Sequence, residues 1–163
     1  MSMKETELKI RTLGDKVLKN GVQQVEKVTD NHRRLLSEMA RLMYAVSGIG
    51  LAAPQVGITE SLIVVDAGSG LYKLVNPRIV ETRGQQVSEE GCLSVPEVGV
   101  RVKRAQSVVV EGLDENGKPV TIEAEGLLAC VFQHEIDHLN GTLIVDHASL
   151  IDRIKYGKKI KEI

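Results

Sequence analysis

The chain has 163 residues, a formal net charge of −1, and 42% hydrophobic and 26% charged residues, the make-up of an ordinary globular protein able to bury a core without disulfides. With no tryptophan, one phenylalanine and an aromatic fraction of 2%, it offers no stacking platform for single-stranded nucleic acid. Its near-zero charge gives no field for sequence-specific nucleic acid or an anionic membrane. No apolar run approaches a membrane span, and MSMKETELK holds no signal-peptide core. The two cysteines, Cys92 and Cys130, are therefore expected as free thiols, or as a metal ligand, in a cytoplasmic protein. An organellar location would call for a transit peptide, and none is visible.

No repeat, low-complexity segment or linker divides the sequence, so one domain over residues 1–163 is expected. In TDNHRRLLSEMARLMYAVSG, the residues Leu35, Leu36, Met39, Leu42, Met43 and Val46 recur at helical spacing. Thr29 or Asp30 suits the N-cap, and Gly48 a stop. SLIVVD and LYKLVN are strand-like and are joined by AGSG, which predicts a hairpin. QSVVVEGLD and PVTIEAE flank Asn116-Gly117, a strong hairpin-turn signal; Val120, Ile122 and Ala124 alternate with polar residues to give one buried face. From Gly126 the period changes, and LLACVFQHEIDHLNG reads as a largely buried helix closing at Asn140-Gly141. SLIDRIKYGKKI predicts a terminal helix. Strands cluster in the middle and helices at the ends without βαβ alternation. The class is α+β, with small antiparallel sheets packed around a central HExxH-bearing helix flanked by an N-terminal and a C-terminal helix.

That helix carries the chemistry. His134 and His138 lie one above the other on one face, about 6 Å apart along the axis, so both imidazoles can reach one divalent ion. Glu135 is rotated by roughly 100° from His134, beside such an ion and placed to act as a base toward a water on it. The spacing supplies only two ligands. A continuation as HExxHxxGxxH fails, because Gly141 fits but Ile144 stands where a third histidine would. A late glutamate, Glu162, is nominally available, although it falls in a lysine-rich C-terminal stub. Cys130 shares the histidine stripe but lies roughly 9 Å along the axis from the level of residue 136, beyond a cysteine's reach, and reads as core. Cys92, in EEGCLSVP beside Gly91, is the further candidate; one thiolate and two imidazoles would leave a position open for water.

SGIGLAAPQVG formally matches a dinucleotide fingerprint, but helix precedes strand here, the reverse of what that site requires. A glycine-permitted loop instead suits a peptide laid against exposed backbone, and Gln55 offers a neutral amide donor of the kind that stabilises an oxyanion.

GIGLAAPQ, EGCLS and QHEIDH stand in that order, and together they closely resemble the three signature motifs of the peptide deformylases. Nearly the whole chain takes part in the resemblance, including ENGKPVTIEAEGLLA. It implies an enzyme that removes the formyl group from N-formylmethionine at the start of nascent polypeptides. By the same resemblance Cys92, His134 and His138 hold the metal, Glu135 is the acid–base, and Gln55 and the Leu93 N–H form the oxyanion hole. Ile49, Gly50 and Gly91 present backbone to the substrate strand. The implied metal is Fe²⁺, with Zn²⁺, Ni²⁺ or Co²⁺ as substitutes, whereas ligand type alone suggests zinc. The implied partners are formylmethionyl peptides and nascent chains. Lys155, Lys158, Lys159 and Lys161 offer a basic tail for transient ribosome contact. GDKVL departs from the family's usual proline after the aspartate, which concerns the N-terminal segment only. An endopeptidase of the HExxH type and a non-catalytic ribosome-associated module are the alternatives; formate release from a formylmethionyl peptide separates them.

Overall fold

The computed structural model describes residues 7–157, so Glu162 and the lysines beyond Gly157 lie outside the described residues. The first helix, α1 (Asp30–Ala45), starts at the Thr29 N-cap, where the Thr29 N–H donates to His32 Nδ1 over 3.0 Å. Strands β1 (Gly50–Ala52), β2 (Leu62–Val65), β3 (Tyr72–Arg83), β6 (Ser107–Leu113) and β7 (Pro119–Glu125) form one antiparallel sheet in the order β1-β2-β3-β6-β7. Strands β4 (Gln86–Cys92) and β5 (Val95–Arg104) pair separately as a two-stranded ribbon. Helix α2 (Gly126–Leu139) crosses between these two sheets, and a short α3 (Leu150–Lys155) follows. This is the expected α+β arrangement around a central helix.

Strand β2 shows why that helix is central. Its four residues, Leu62, Ile63, Val64 and Val65, are all fully buried, because both faces of the sheet are covered. Leu62 and Val64 pack with Leu36, Met39 and Met43 of α1. Ile63 and Val65 pack with Phe132, Ile136 and Leu139 of α2. A strand covered on two sides loses the polar alternation of a one-sided strand, which is why SLIVVD reads as a continuous apolar run. The β6–β7 hairpin forms around the predicted Asn116-Gly117 turn, with Leu113 opposite Pro119.

The ribbon was not read from the sequence. In β5 the burial alternates, with Val98, Val100, Val102 and Arg104 inward and Gly99, Arg101 and Lys103 outward. Those valines form a third cluster with Leu18, Leu143 and Ile144, and this cluster fastens the ribbon to the chain on either side of α2. The predicted terminal helix is shorter within the described residues, as α3 spans Leu150–Lys155 and exposes Leu150, Ile151 and Ile154.

Helix α2 ends in a Schellman turn: the Gly141 N–H donates to His138 O (3.1 Å) and the Thr142 N–H to Asp137 O (2.9 Å). Gly141 has φ +76, and a Cβ there would lie 2.5 Å from the Lys19 carbonyl oxygen. Gly141→Ala should therefore lower stability by about 1–3 kcal/mol from the left-handed backbone alone, with the clash adding to it. Urea unfolding of the two proteins checks this; equal midpoints would mean that the end of α2 is not held as described.

Candidate active site

Three segments converge on one cleft of about 760 Å³. One wall is the loop and strand Ser47–Gly50 with Gln55, the opposite wall is the β4–β5 turn around Cys92, and the floor is α2 with His134 and Glu135. The floor exists because α2 turns its Phe132, Ile136 and Leu139 toward the large sheet. His134 and His138, on a different face of the helix, then aim at the ribbon.

Cys92 Sγ lies 3.4 Å from His138 Nε2, and the two histidine Nε2 atoms are 3.3 Å apart. All three ligand atoms fall within 4.8 Å of one another. Bond lengths of about 2.0 Å to nitrogen and 2.3 Å to sulfur in a tetrahedron give ligand–ligand edges of about 3.3–3.6 Å, so this donor set fits a single divalent ion. Cys130 lies in the cleft wall, buried, outside that cluster.

The imidazoles differ in their surroundings. His134 Nδ1 sits 2.9 Å from Glu90 Oε1, which directs its Nε2 toward the cluster. Burial alone would depress the His134 pKa, but Cys92, Glu90 and Glu135 around it hold it well above the ordinary value. Burial, reinforced by the charges of His134 and Arg104, pushes His138 well below that value. Its Nδ1 is buried with no hydrogen-bond partner among the described residues.

Glu135 is 2% exposed, and its Oε1 likewise has no hydrogen-bond partner among the described residues. That oxygen is 3.9 Å from His138 Nε2, at the edge of the three-ligand cluster. Burial raises the carboxyl to about 7, so it exchanges a proton near neutral pH. An orphaned buried carboxylate oxygen next to a ligand cluster has the character of a group held for a reactant.

Gln55, 1% exposed, is fixed at both ends of its amide. Oε1 accepts from the Ala52 N–H (2.9 Å), while Nε2 donates to Ser94 Oγ (3.2 Å) and faces Cys92 Sγ at 3.6 Å. Leu93 is next along the chain and packs its side chain against Gly48, where a Cβ would come within 3.2 Å.

Strand β1 is the edge of its sheet. The Ile49 carbonyl accepts from the Asp66 N–H (2.9 Å) on the paired side, so Gly50 turns its own amide groups the other way, toward the cleft. Gly91 falls where the β4–β5 register shifts between Glu90↔Val100 and Cys92↔Val95. Each of the two strand segments thus borders the cleft with a glycine.

Sequence reasoning missed the groups behind Cys92 and the two histidines. Arg104, 6% exposed, holds both oxygens of Glu90 (Nε 3.0 Å, Nη2 2.7 Å) and reaches Asp137 Oδ2 (2.6 Å). Burial would raise the Glu90 pKa, but Arg104 and His134 bring it down to about 2. Asp137 also meets His147 Nε2 at 3.0 Å. The inward parity of Arg104 after Val98, Val100 and Val102 is the one signal that could have found it.

A thiol and two imidazoles grouped to hold one divalent ion, beside a buried carboxyl in a cleft, are the arrangement of a metal-dependent hydrolase. The sequence profile of the polypeptide deformylase family matches residues 7–153. Peptide deformylase of Carboxydothermus hydrogenoformans is 50% identical over 145 residues, which is 89% of this chain and 95% of that protein. The Halothermothrix orenii peptide deformylase is 51% identical over 141 residues, 85% of this chain and 92% of the relative. The crystal structure of a peptide deformylase from Legionella pneumophila superposes with a TM-score of 0.88 at 42% identity, covering 95% of this chain and 94% of that one. A Synechococcus elongatus peptide deformylase in complex with actinonin gives a TM-score of 0.90 at 41% identity, covering 98% and 89%. The chain belongs to the peptide deformylase family and is a hydrolase that removes the N-formyl group from nascent polypeptides.

Gly50 tests the geometry of the floor. A Cβ on it would lie 2.5 Å from Glu135 Oε2 and 2.8 Å from Cδ, and the buried carboxylate has little room to retreat. Gly50→Ala should displace that carboxylate and lower kcat/KM on the order of 100-fold, the usual effect of an ångström-scale misplacement. A variant with wild-type kcat/KM would show that Glu135 does not need this position.

Proposed function

We propose that residues 1–163 act as a single catalytic domain in the cytoplasm, with Cys92, His134 and His138 holding one Fe²⁺ and Glu135 carrying the proton of the deformylation. The observation that carries this reading is the buried Glu135 Oε1, unpartnered among the described residues and 3.9 Å from His138 Nε2 at the edge of a donor set shaped for one ion. Such an ion supplies Lewis acidity, making water acidic enough to give up a proton near neutral pH.

The remaining steps fall to the chain's own groups. Gly50 on β1 and Gly91 on β4 offer backbone to a peptide laid between them as an added strand, with Ile49 at the rim. Glu135 accepts a proton from the attacking water as its oxygen bonds to the formyl carbon. The carbonyl oxygen takes up negative charge, which in this reading the Gln55 Nε2–H₂ and the Leu93 N–H meet. Gln55 is already locked through Ala52 and Ser94, so little reorganisation accompanies that charge. Glu135 then returns its proton to the departing amine nitrogen; the C–N bond breaks and formate leaves. Methionine's formyl group has hydrogen where an acetyl group has methyl, and close walls at this floor would discriminate by size.

The partners in this reading are formylmethionyl peptides and nascent chains. Lys155 is the described member of the basic tail assigned to ribosome contact, and its ammonium lies over the Tyr156 ring at 5.2 Å.

Glu135→Gln should keep its metal and lose at least about 100-fold in kcat, the range of a general base. Formate release from formyl-Met-Ala-Ser, assayed at matched metal content, reads the outcome; a loss within about tenfold would remove Glu135 from the proton's path.

Metal content separates the two thiols and the choice of ion. Cys92→Ala should lose bound metal by elemental analysis of the folded protein, whereas Cys130→Ala should keep it and lose at most a few kcal/mol of packing. The iron form should lose activity in air while nickel- and zinc-loaded forms persist, because only iron there readily changes oxidation state. Equal decay of all three forms would reject iron oxidation as the cause.

A further inference from the structure

Every residue of QHEIDH that faces the ribbon has been accounted for except the first. Gln133 is partly buried on α2, immediately before His134. Its amide makes three bonds. Oε1 accepts from the Ala105 N–H (2.9 Å), and Nε2 donates to the Ala105 carbonyl (3.0 Å) and to the Ala129 carbonyl one turn back (3.0 Å). The side chain thus pairs with Ala105 as a neighbouring strand would. The Ala105 carbonyl receives a second donor, Gln86 Nε2, at 3.0 Å, and the same nitrogen reaches the Gly126 carbonyl at 3.1 Å. Gln86 opens β4, the strand that ends at Cys92, and Gly126 opens α2.

Ala105 follows Arg104, and Arg104 holds Glu90 against His134 and also bonds Asp137. One backbone position therefore sets the reach of that guanidinium, and two glutamines fix it, one from the helix with the imidazoles and one from the strand with the thiol. The ribbon's other polar ties to α2 include Glu90 to His134 and Arg104 to Asp137, and both rest on the Arg104–Glu90 pair beside Ala105.

We infer that Gln133 is a positioning residue for the metal centre: by locking Ala105 it fixes Arg104 and Glu90, and through them the orientation of His134 relative to Cys92. This inference rests on the Cys92, His134 and His138 ligand set. Removing a group that orients a metal ligand typically weakens metal affinity 10- to 100-fold.

The test uses the full-length protein, stripped of metal and titrated with Co²⁺ anaerobically, reading the thiolate–cobalt charge-transfer band and the visible ligand-field bands. Gln133→Met keeps length and removes the polar clamp. It should weaken Co²⁺ binding at least fivefold, by chelator competition, and shift the ligand-field bands. Val110→Ala, a core change on β6 in the apolar cluster beneath α2 that breaks no hydrogen bond of the clamp, sets the effect of lost stability alone and should leave both readouts within twofold of wild type. If Gln133→Met does not fold, Gln133→Glu is read the same way. That variant keeps an acceptor for the Ala105 N–H and sets a carboxylate oxygen against two carbonyls. A Co²⁺ affinity less than fivefold weakened with unshifted bands overturns the inference, as does an equal loss in Val110→Ala. A wild-type charge-transfer band that is absent, or that survives Cys92→Ala, overturns the ligand set itself and this inference with it.

Discussion

A guanidinium buried between two carboxylates is the interaction on which the site depends. Arg104 is out of water, and an isolated charge there would cost several kcal/mol. Glu90 answers it with both oxygens and Asp137 with one, so two negative charges surround one positive charge, and the imidazole of His134 takes the remaining capacity of Glu90. Such a group is tolerated only where its partners are fixed. The partners come from β4 and from α2, which ties the strand of Cys92 to the helix of His134 and His138 through β5. Loss of Glu90 removes two of the three bonds to the guanidinium and leaves it facing the partly exposed Asp137 alone.

The division of labour between the two sheets follows from that tie. The five-stranded sheet provides mass and rigidity, with β2 sealed between α1 and α2, and it offers the open edge β1 to the cleft. The ribbon supplies the thiol and the opposing wall, and it holds on through its own apolar cluster. The cleft is the seam between them. The cleft is bordered by unpaired backbone on one side and a register irregularity at Gly91 on the other, so much of what it presents is main chain. That suits an enzyme whose substrates share one end and differ everywhere else.

Much of this was legible in the sequence because it depended on local periodicity. Helix α1, the two hairpins and the switch to helical spacing at Gly126 each announce themselves within about ten residues, and the histidine pair fixes its own face. The β4–β5 ribbon did not, because QQVSEEGC has polar and charged residues on both parities and Gly99 interrupts the valines. Glu90 and Arg104 were missed for a further reason. Parity with Val98, Val100 and Val102 marks Arg104 as inward, but its partners follow only when strand register places Glu90 opposite Val100 and brings Arg104 beneath α2. Gln55 was found as a donor, but its partners Ala52 and Ser94 were not, since Ser94 lies 39 residues away. Glycines were read as permissive and turned out to be spatial: Gly50 is where the Glu135 carboxylate passes.

The order of the three segments along the chain has a consequence for biosynthesis. The β1 edge, the Cys92 thiol and the His134–His138 pair are contributed in sequence, and the last of them depends on α2, whose packing against β2 closes the core. Until residue 138 has left the ribosome there is neither a floor to the cleft nor a pair of imidazoles, whatever the earlier strands have done. The floor of the cleft is thus among the last parts of the fold that translation completes.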